Sequence, residues 1–240
     1  MPDGGDRLRR AATTVRLGSF RVRASVVGDG PTVLLCSGLS SPLESWGPLV
    51  DRLDSYRFVT FDVPGVGESP NRWRPLRIGR VATLAAELLD HVGVGRAHVI
   101  GYSWGGAVAQ HFAWREHDRL DRLVLAATSV GLGAVPGYPW SFGHHAAPSV
   151  SGLVGHLGQV GAIATWSSLP WLRHINAPTL VLAGSDDLLV PPLNAHLLAW
   201  AISHARVDVL AGLGHPLFDA RALDLVGPRI DDFLGARHQS

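Results

Sequence analysis

Ser103, His215 and the neighbouring pair Asp186 and Asp187 are the side chains of this 240-residue chain whose order and setting suit nucleophilic chemistry. Ser103 stands at the centre of Gly101-Tyr102-Ser103-Trp104-Gly105, a G-x-S-x-G pattern. A serine hydroxyl is a weak nucleophile at neutral pH, so it needs a base within hydrogen-bond reach and a carboxylate that holds the base in one tautomer. His215 closes the run Gly212-Leu213-Gly214-His215, where glycines let the ring swing towards Ser103. The carboxylate comes from Ala183-Gly184-Ser185-Asp186-Asp187, and on physical grounds either aspartate qualifies. The reaction such a set performs is acyl transfer through a covalent serine ester. In a chain with 28 glycines the bare pattern can arise by chance, so its weight comes from the elements around it.

Five short apolar runs, 32–36, 58–61, 98–100, 123–126 and 179–183, have the character of strands buried on both faces. Residues 13–17 and 20–27 alternate apolar and polar side chains about Gly18-Ser19 and predict an antiparallel hairpin. A further strand is expected at 207–210. Helical spacing is clearest over 78–92, where Val81, Leu84, Ala85, Leu88 and Val92 share a face, and recurs at 194–202 and 220–234. Alternating strands and helices predict an α/β fold with a mostly parallel sheet covered on both faces. In that frame Ser103 lies between a strand and a helix beginning near Ala107, at the strained turn that lifts a nucleophile above the sheet. The aspartates and His215 follow later strands, at the carboxyl ends where a crevice forms.

Acyl transfer also requires donors for the developing oxyanion. The main-chain N–H of Trp104 is one candidate; the second, assigned to Leu39, lies on the loop Ser37-Gly38-Leu39-Ser40-Ser41 after the first buried strand. Cys36 reads as a buried strand residue, and Asp62, in Asp62-Val63-Pro64-Gly65-Val66-Gly67, as the anchor of a tight turn. Of the twelve histidines, His98, His111, His117 and His196 lie in or beside expected elements and read as structural.

Residues 129–171 break the strand–helix rhythm with glycines, prolines and aromatics, and show only weak helical periodicity between 150 and 166. They are expected to form a lid inserted into a single domain spanning 1–240. Tyr138, Trp140, Phe142 and Trp166 are its candidate substrate-binding residues, able to line an acyl-chain pocket as readily as to pack a small cap. His144-His145 are adjacent, a poor geometry for a metal pair.

Composition narrows the partners. Apolar residues make up 46% and charged residues 17%, suiting a large core, and a net charge of +1 with no Lys/Arg block offers no footprint for nucleic acid. The lone cysteine excludes an internal disulfide. No apolar run reaches membrane-spanning length and the first ten residues are polar, so a cytoplasmic protein is expected, acting on a small-molecule or polyester substrate without metal or organic cofactor. Its oligomeric state is not encoded in any feature of the sequence.

The elbow, the acid loop and the histidine loop together resemble the α/β-hydrolase superfamily over nearly the whole chain. Phe61-Asp62-Val63-Pro64-Gly65-Val66-Gly67, Val99-Ile100-Gly101-Tyr102-Ser103-Trp104-Gly105-Gly106, the runs 123–128 and 178–184, and Leu197-Leu198-Ala199-Trp200 resemble the intracellular depolymerases of medium-chain-length polyhydroxyalkanoates. The resemblance implies the α/β-hydrolase fold, with a lid shorter than that family's. It implies hydrolysis of an ester by Ser103, His215 and Asp187, the last being the fourth position of the superfamily's G-x-x-D-x-x-V-P pattern. Other outcomes on the same groups are acyl transfer to another acceptor, C–C bond cleavage or cyclisation, and, from a different class, a noncatalytic small-molecule receptor.

Overall fold

The computed structural model describes residues 3–70, 76–137 and 153–235. Eight strands form one sheet: β1 (Thr13–Leu17), β2 (Phe20–Val27), β3 (Thr32–Cys36), β4 (Arg57–Phe61), β5 (Ala97–Tyr102), β6 (Leu120–Ala126), β7 (Thr179–Gly184) and β8 (Ala205–Leu210). Their spatial order is β1-β2-β4-β3-β5-β6-β7-β8. The hairpin β1–β2 joins β4 antiparallel, and every pairing from β4 to β8 is parallel.

The helices are α1 (Gly4–Ala11), α2 (Gly47–Arg52), α3 (Ile78–His91), α4 (Trp104–Arg115), α5 (Leu153–Ala164), α6 (Leu193–Ala201) and α7 (Ala220–Gly235). The central strands are apolar on both faces because they feed two cores. Leu34 and Cys36 point to one, with α3, α4 and α6; Val33 and Leu35 point to the other, with α1, α2 and α7. Strand side chains alternate faces with period two, so Leu123 and Leu125 join the first core while Val124 and Ala126 join the second. Each fully buried Leu or Val stabilises by about 1.5–3 kcal/mol, which makes these runs the main organisers of the fold.

Helices α1 and α2 were not expected. Helix α1 forms from a polar stretch because the Asp3 carboxylate accepts from the Asp6 N–H at 2.8 Å and Leu8 is fully buried. The 3-10 turn Leu43–Trp46 leads into α2 and buries Trp46, whose Nε1 donates to Ser37 Oγ at 2.9 Å. Helix α4 begins at Trp104, three residues before the expected start. Gly105 and Gly106 are weak helix formers, yet close packing requires them, since a side chain on Gly105 would strike the Cys36 carbonyl. Among the described residues, no helix is long and apolar enough to cross a membrane.

Candidate active site

Ser103 joins β5 to α4 with φ 51° and ψ −119°, a conformation that non-glycine residues rarely adopt. The surroundings enforce it. Ser103 N–H donates to the Ala126 carbonyl at 2.9 Å, while its own carbonyl accepts from Gly106 N–H at 2.9 Å and from Thr128 Oγ1 at 2.7 Å. Gly101 packs against the backbone of Gly105 and Gly106, so the two arms of the turn pass closely.

His215 stands on the loop after β8 and touches both partners. Its Nε2 lies 2.9 Å from Ser103 Oγ, and its Nδ1 lies 2.8 Å from Asp187 Oδ2. A carboxylate on Nδ1 fixes the tautomer with the proton there, leaving the Nε2 lone pair to face the serine hydroxyl. Asp187 is buried, and its Oδ1 accepts from the N–H groups of Leu189 and Val190 at 2.9 and 2.8 Å. Asp186 is exposed and engaged by Ser185 Oγ at 2.7 Å. The aspartate that meets the histidine is therefore Asp187: in the turn after β7 Ser185 and Asp186 face outward and Asp187 faces inward. Tyr102 O–H donates to the His215 carbonyl at 3.2 Å, and burial, followed by the charges of Asp187 and Asp219, holds its phenol well above the usual tyrosine range.

These groups open into a mostly apolar cavity of about 440 Å³. Leu39 and Trp104, the expected oxyanion-hole residues, both line it. Trp104 is the first residue of α4, where the N–H has no intrahelical acceptor. Helix α5 supplies His156, Val160 and Ile163 as one wall, and Ala134, Val135, Pro136 and Gly137 form another. Asn194, fully buried, holds that second wall: its side chain accepts from Val135 N–H at 2.8 Å and donates to the Val135 carbonyl at 2.9 Å.

Trp166 does not line this cavity. Its ring packs 5.9 Å from that of Trp171 and faces a second cavity beside Ile78 and His111, because residues 131–132 pair with the main chain of Trp166 and Ser167 and turn the side chain away. Tyr138, Trp140, Phe142 and the His144-His145 pair lie outside the described residues. The sequence reasoning missed His156, Gln159, Thr128 and Asn194. The first two carried a signal, since 156, 159, 160 and 163 share one helical face, but weak periodicity over 150–166 hid it. Among the described residues no cluster of three or more His, Cys, Asp or Glu could hold a metal ion. Asp62 fixes its turn, accepting from Leu43 N–H, Glu68 N–H and the buried Arg23 guanidinium.

Residues 31–148 match the family described as alpha/beta hydrolase fold. The poly(3-hydroxyalkanoate) depolymerase of Ectopseudomonas oleovorans is 35% identical over 265 aligned positions, covering 94% of this chain and 93% of that protein. The 2-hydroxy-6-oxo-6-phenylhexa-2,4-dienoate hydrolase of Comamonas testosteroni is 28% identical over 249 positions, covering 83% of this chain and 86% of that protein. The solved structure of an enol-lactonase from Burkholderia xenovorans LB400 superposes with a TM-score of 0.80 at 23% identity, covering 93% of this chain and all of that one, a likeness of fold. Sheet order, elbow geometry and likeness to hydrolases along almost the full length lead to the same place: the chain belongs to the α/β-hydrolase family.

Proposed function

We propose that the protein is a serine carboxylic-ester hydrolase that works through an acyl-enzyme. The observation that carries this is the single imidazole of His215 spanning Ser103 Oγ and the buried carboxylate of Asp187. His215 Nε2 takes the hydroxyl proton as Ser103 Oγ bonds to the ester carbonyl carbon. The carbonyl oxygen becomes an oxyanion held by the N–H groups of Trp104 and Leu39. As the intermediate collapses, the C–O bond to the alcohol breaks and His215 returns the proton to the leaving oxygen. Water then attacks the acyl-enzyme, giving a proton to His215, and the acid departs as Ser103 recovers its own. Asp187 keeps its charge throughout and stabilises the imidazolium.

The apolar lining of the cavity favours acyl chains of medium length or polyhydroxyalkanoate-like esters, and the relative named as a poly(3-hydroxyalkanoate) depolymerase supports the same substrate class. We read residues 1–240 as one domain with 129–171 as its lid. A series of p-nitrophenyl esters from acetate to dodecanoate tests the reading. Turnover should peak at intermediate length and vanish in Ser103→Ala; equal turnover by the two proteins contradicts it.

A further inference from the structure

We propose that Gln159 is a positioning residue that couples the seating of α5 to the oxyanion hole, an inference that rests on the acyl-transfer reading above. Its side-chain Oε1 accepts from Ser40 N–H at 2.7 Å, and its main-chain carbonyl accepts from Trp104 Nε1 at 3.0 Å. One residue of the insertion thus grips both segments that would supply the hole: the peptide following Leu39, and the side chain of Trp104. Three further features place tension on that contact. The loop 38–41 is a tight turn closed by Ser41 N–H to the Gly38 carbonyl at 3.1 Å. Ser40 within it adopts φ 56°, a left-handed conformation held only where neighbours over-determine it. One turn before Gln159, His156 Nδ1 meets Ser40 Oγ at 2.9 Å, so the same helix face grips the strained residue twice.

Gln159 is also a costly occupant of its position. It is 5% exposed, and its Nε2 has no hydrogen-bond partner among the described residues. An unmade donor in a buried site is unfavourable, and a leucine of similar size would avoid it. What the amide adds is the acceptor that orients Ser40. When α5 is seated, the Leu39 peptide is aimed and the hole is complete; when α5 lifts, Ser40 relaxes and the donor turns away.

The test compares wild type, Gln159→Leu and Trp104→Phe, each cutting one of the two tethers, in steady-state p-nitrophenyl ester hydrolysis and in binding of an alkyl boronic acid, whose tetrahedral adduct uses the hole. Removing an oxyanion donor outright lowers kcat by about 10²–10³, so misaiming one through Gln159→Leu should lower kcat by at least about tenfold while KM stays within about twofold. Boronate affinity should fall with kcat/KM, and Trp104→Phe should lower kcat in the same manner but less. Wild-type kcat in both variants, or a loss confined to KM, overturns the proposal. If Gln159→Leu gives no cooperative melting transition, Trp104→Phe decides by the same criterion. Wild-type protein without Ser103-dependent turnover overturns the hydrolase reading and this inference together, whereas Ser103-dependent turnover with unaffected variants overturns only the inference.

Discussion

Thr128 Oγ1 donates a 2.7 Å hydrogen bond to the main-chain carbonyl of Ser103, tying the loop after β6 to the strained turn between β5 and α4. The same side chain packs against Gly106, where an added Cβ would collide with it. Thr128→Val keeps the shape and removes the bond. It should lower stability by about 1 kcal/mol and lower kcat with little change in KM, since the carbonyl it holds belongs to the nucleophile. Chemical denaturation and steady-state kinetics check the two effects.

Neighbouring aspartates should behave very differently. Asp187 receives His215 Nδ1 at 2.8 Å in a buried site, while Asp186 is exposed and its carboxylate meets Ser185 Oγ. Asp187→Asn frees the imidazole to take the wrong tautomer and should cost about 10⁴ in kcat, whereas Asp186→Asn should leave turnover close to wild type. A matched pair of kinetic measurements separates them.

His111 packs between α3 and the Trp114 and Trp171 rings. Burial, with the nearby Arg115 charge adding to it, lowers its pKa from the ordinary 6.5. In the unfolded chain the ring protonates first as pH falls, so the unfolded state binds more protons below about 6.5 and stability declines there. Between pH 7.5 and 5.5, wild type should lose more thermal stability than His111→Gln. The difference should not exceed about 1 kcal/mol, because the ring is partly exposed and solvent screens it. Parallel melting curves in the two buffers measure it.

Cys36 lies buried at the end of β3, and burial pushes its thiol up to about 12. A protonated, inaccessible thiol reacts slowly. Iodoacetamide should leave the native protein unlabelled at pH 8 and modify it once denatured; rapid labelling of the folded chain contradicts this placement.

Much of this architecture was legible because burial on both faces leaves an unmistakable trace. The runs 32–36, 123–126 and 179–183 are strands in the structure, and the hairpin and the helix at 78–92 also appear where alternation and helical spacing put them. Ser103 and His215 could be nominated because each sits in a short motif beyond a strand end, whereas Asp187 is preferred to Asp186 only through the superfamily's G-x-x-D-x-x-V-P pattern. Elements organised by distant contacts were not legible. The local trace of α1 is slight, an Asp3 cap on a polar stretch, and the helix is secured by Leu8 reaching the second core and Gly4 N–H reaching the Asp51 carboxylate. Trp166 was misplaced for the same reason: an aromatic in a lid suits a pocket equally well as a packing role, and only the pairing of 131–132 with its backbone decides. Asn194 and Gln159 act on main-chain groups 59 and 119 residues away, at Val135 and Ser40, a relationship no local spacing reveals.

The most direct measurement of the central claim is labelling with a fluorophosphonate probe followed by peptide mapping. Wild-type protein should carry the phosphonyl group stoichiometrically on Ser103 and lose ester hydrolysis in step, and Ser103→Ala should remain unlabelled and inactive. Unlabelled wild type, or a label on another residue with hydrolysis retained in Ser103→Ala, would contradict the assignment of Ser103 as the nucleophile.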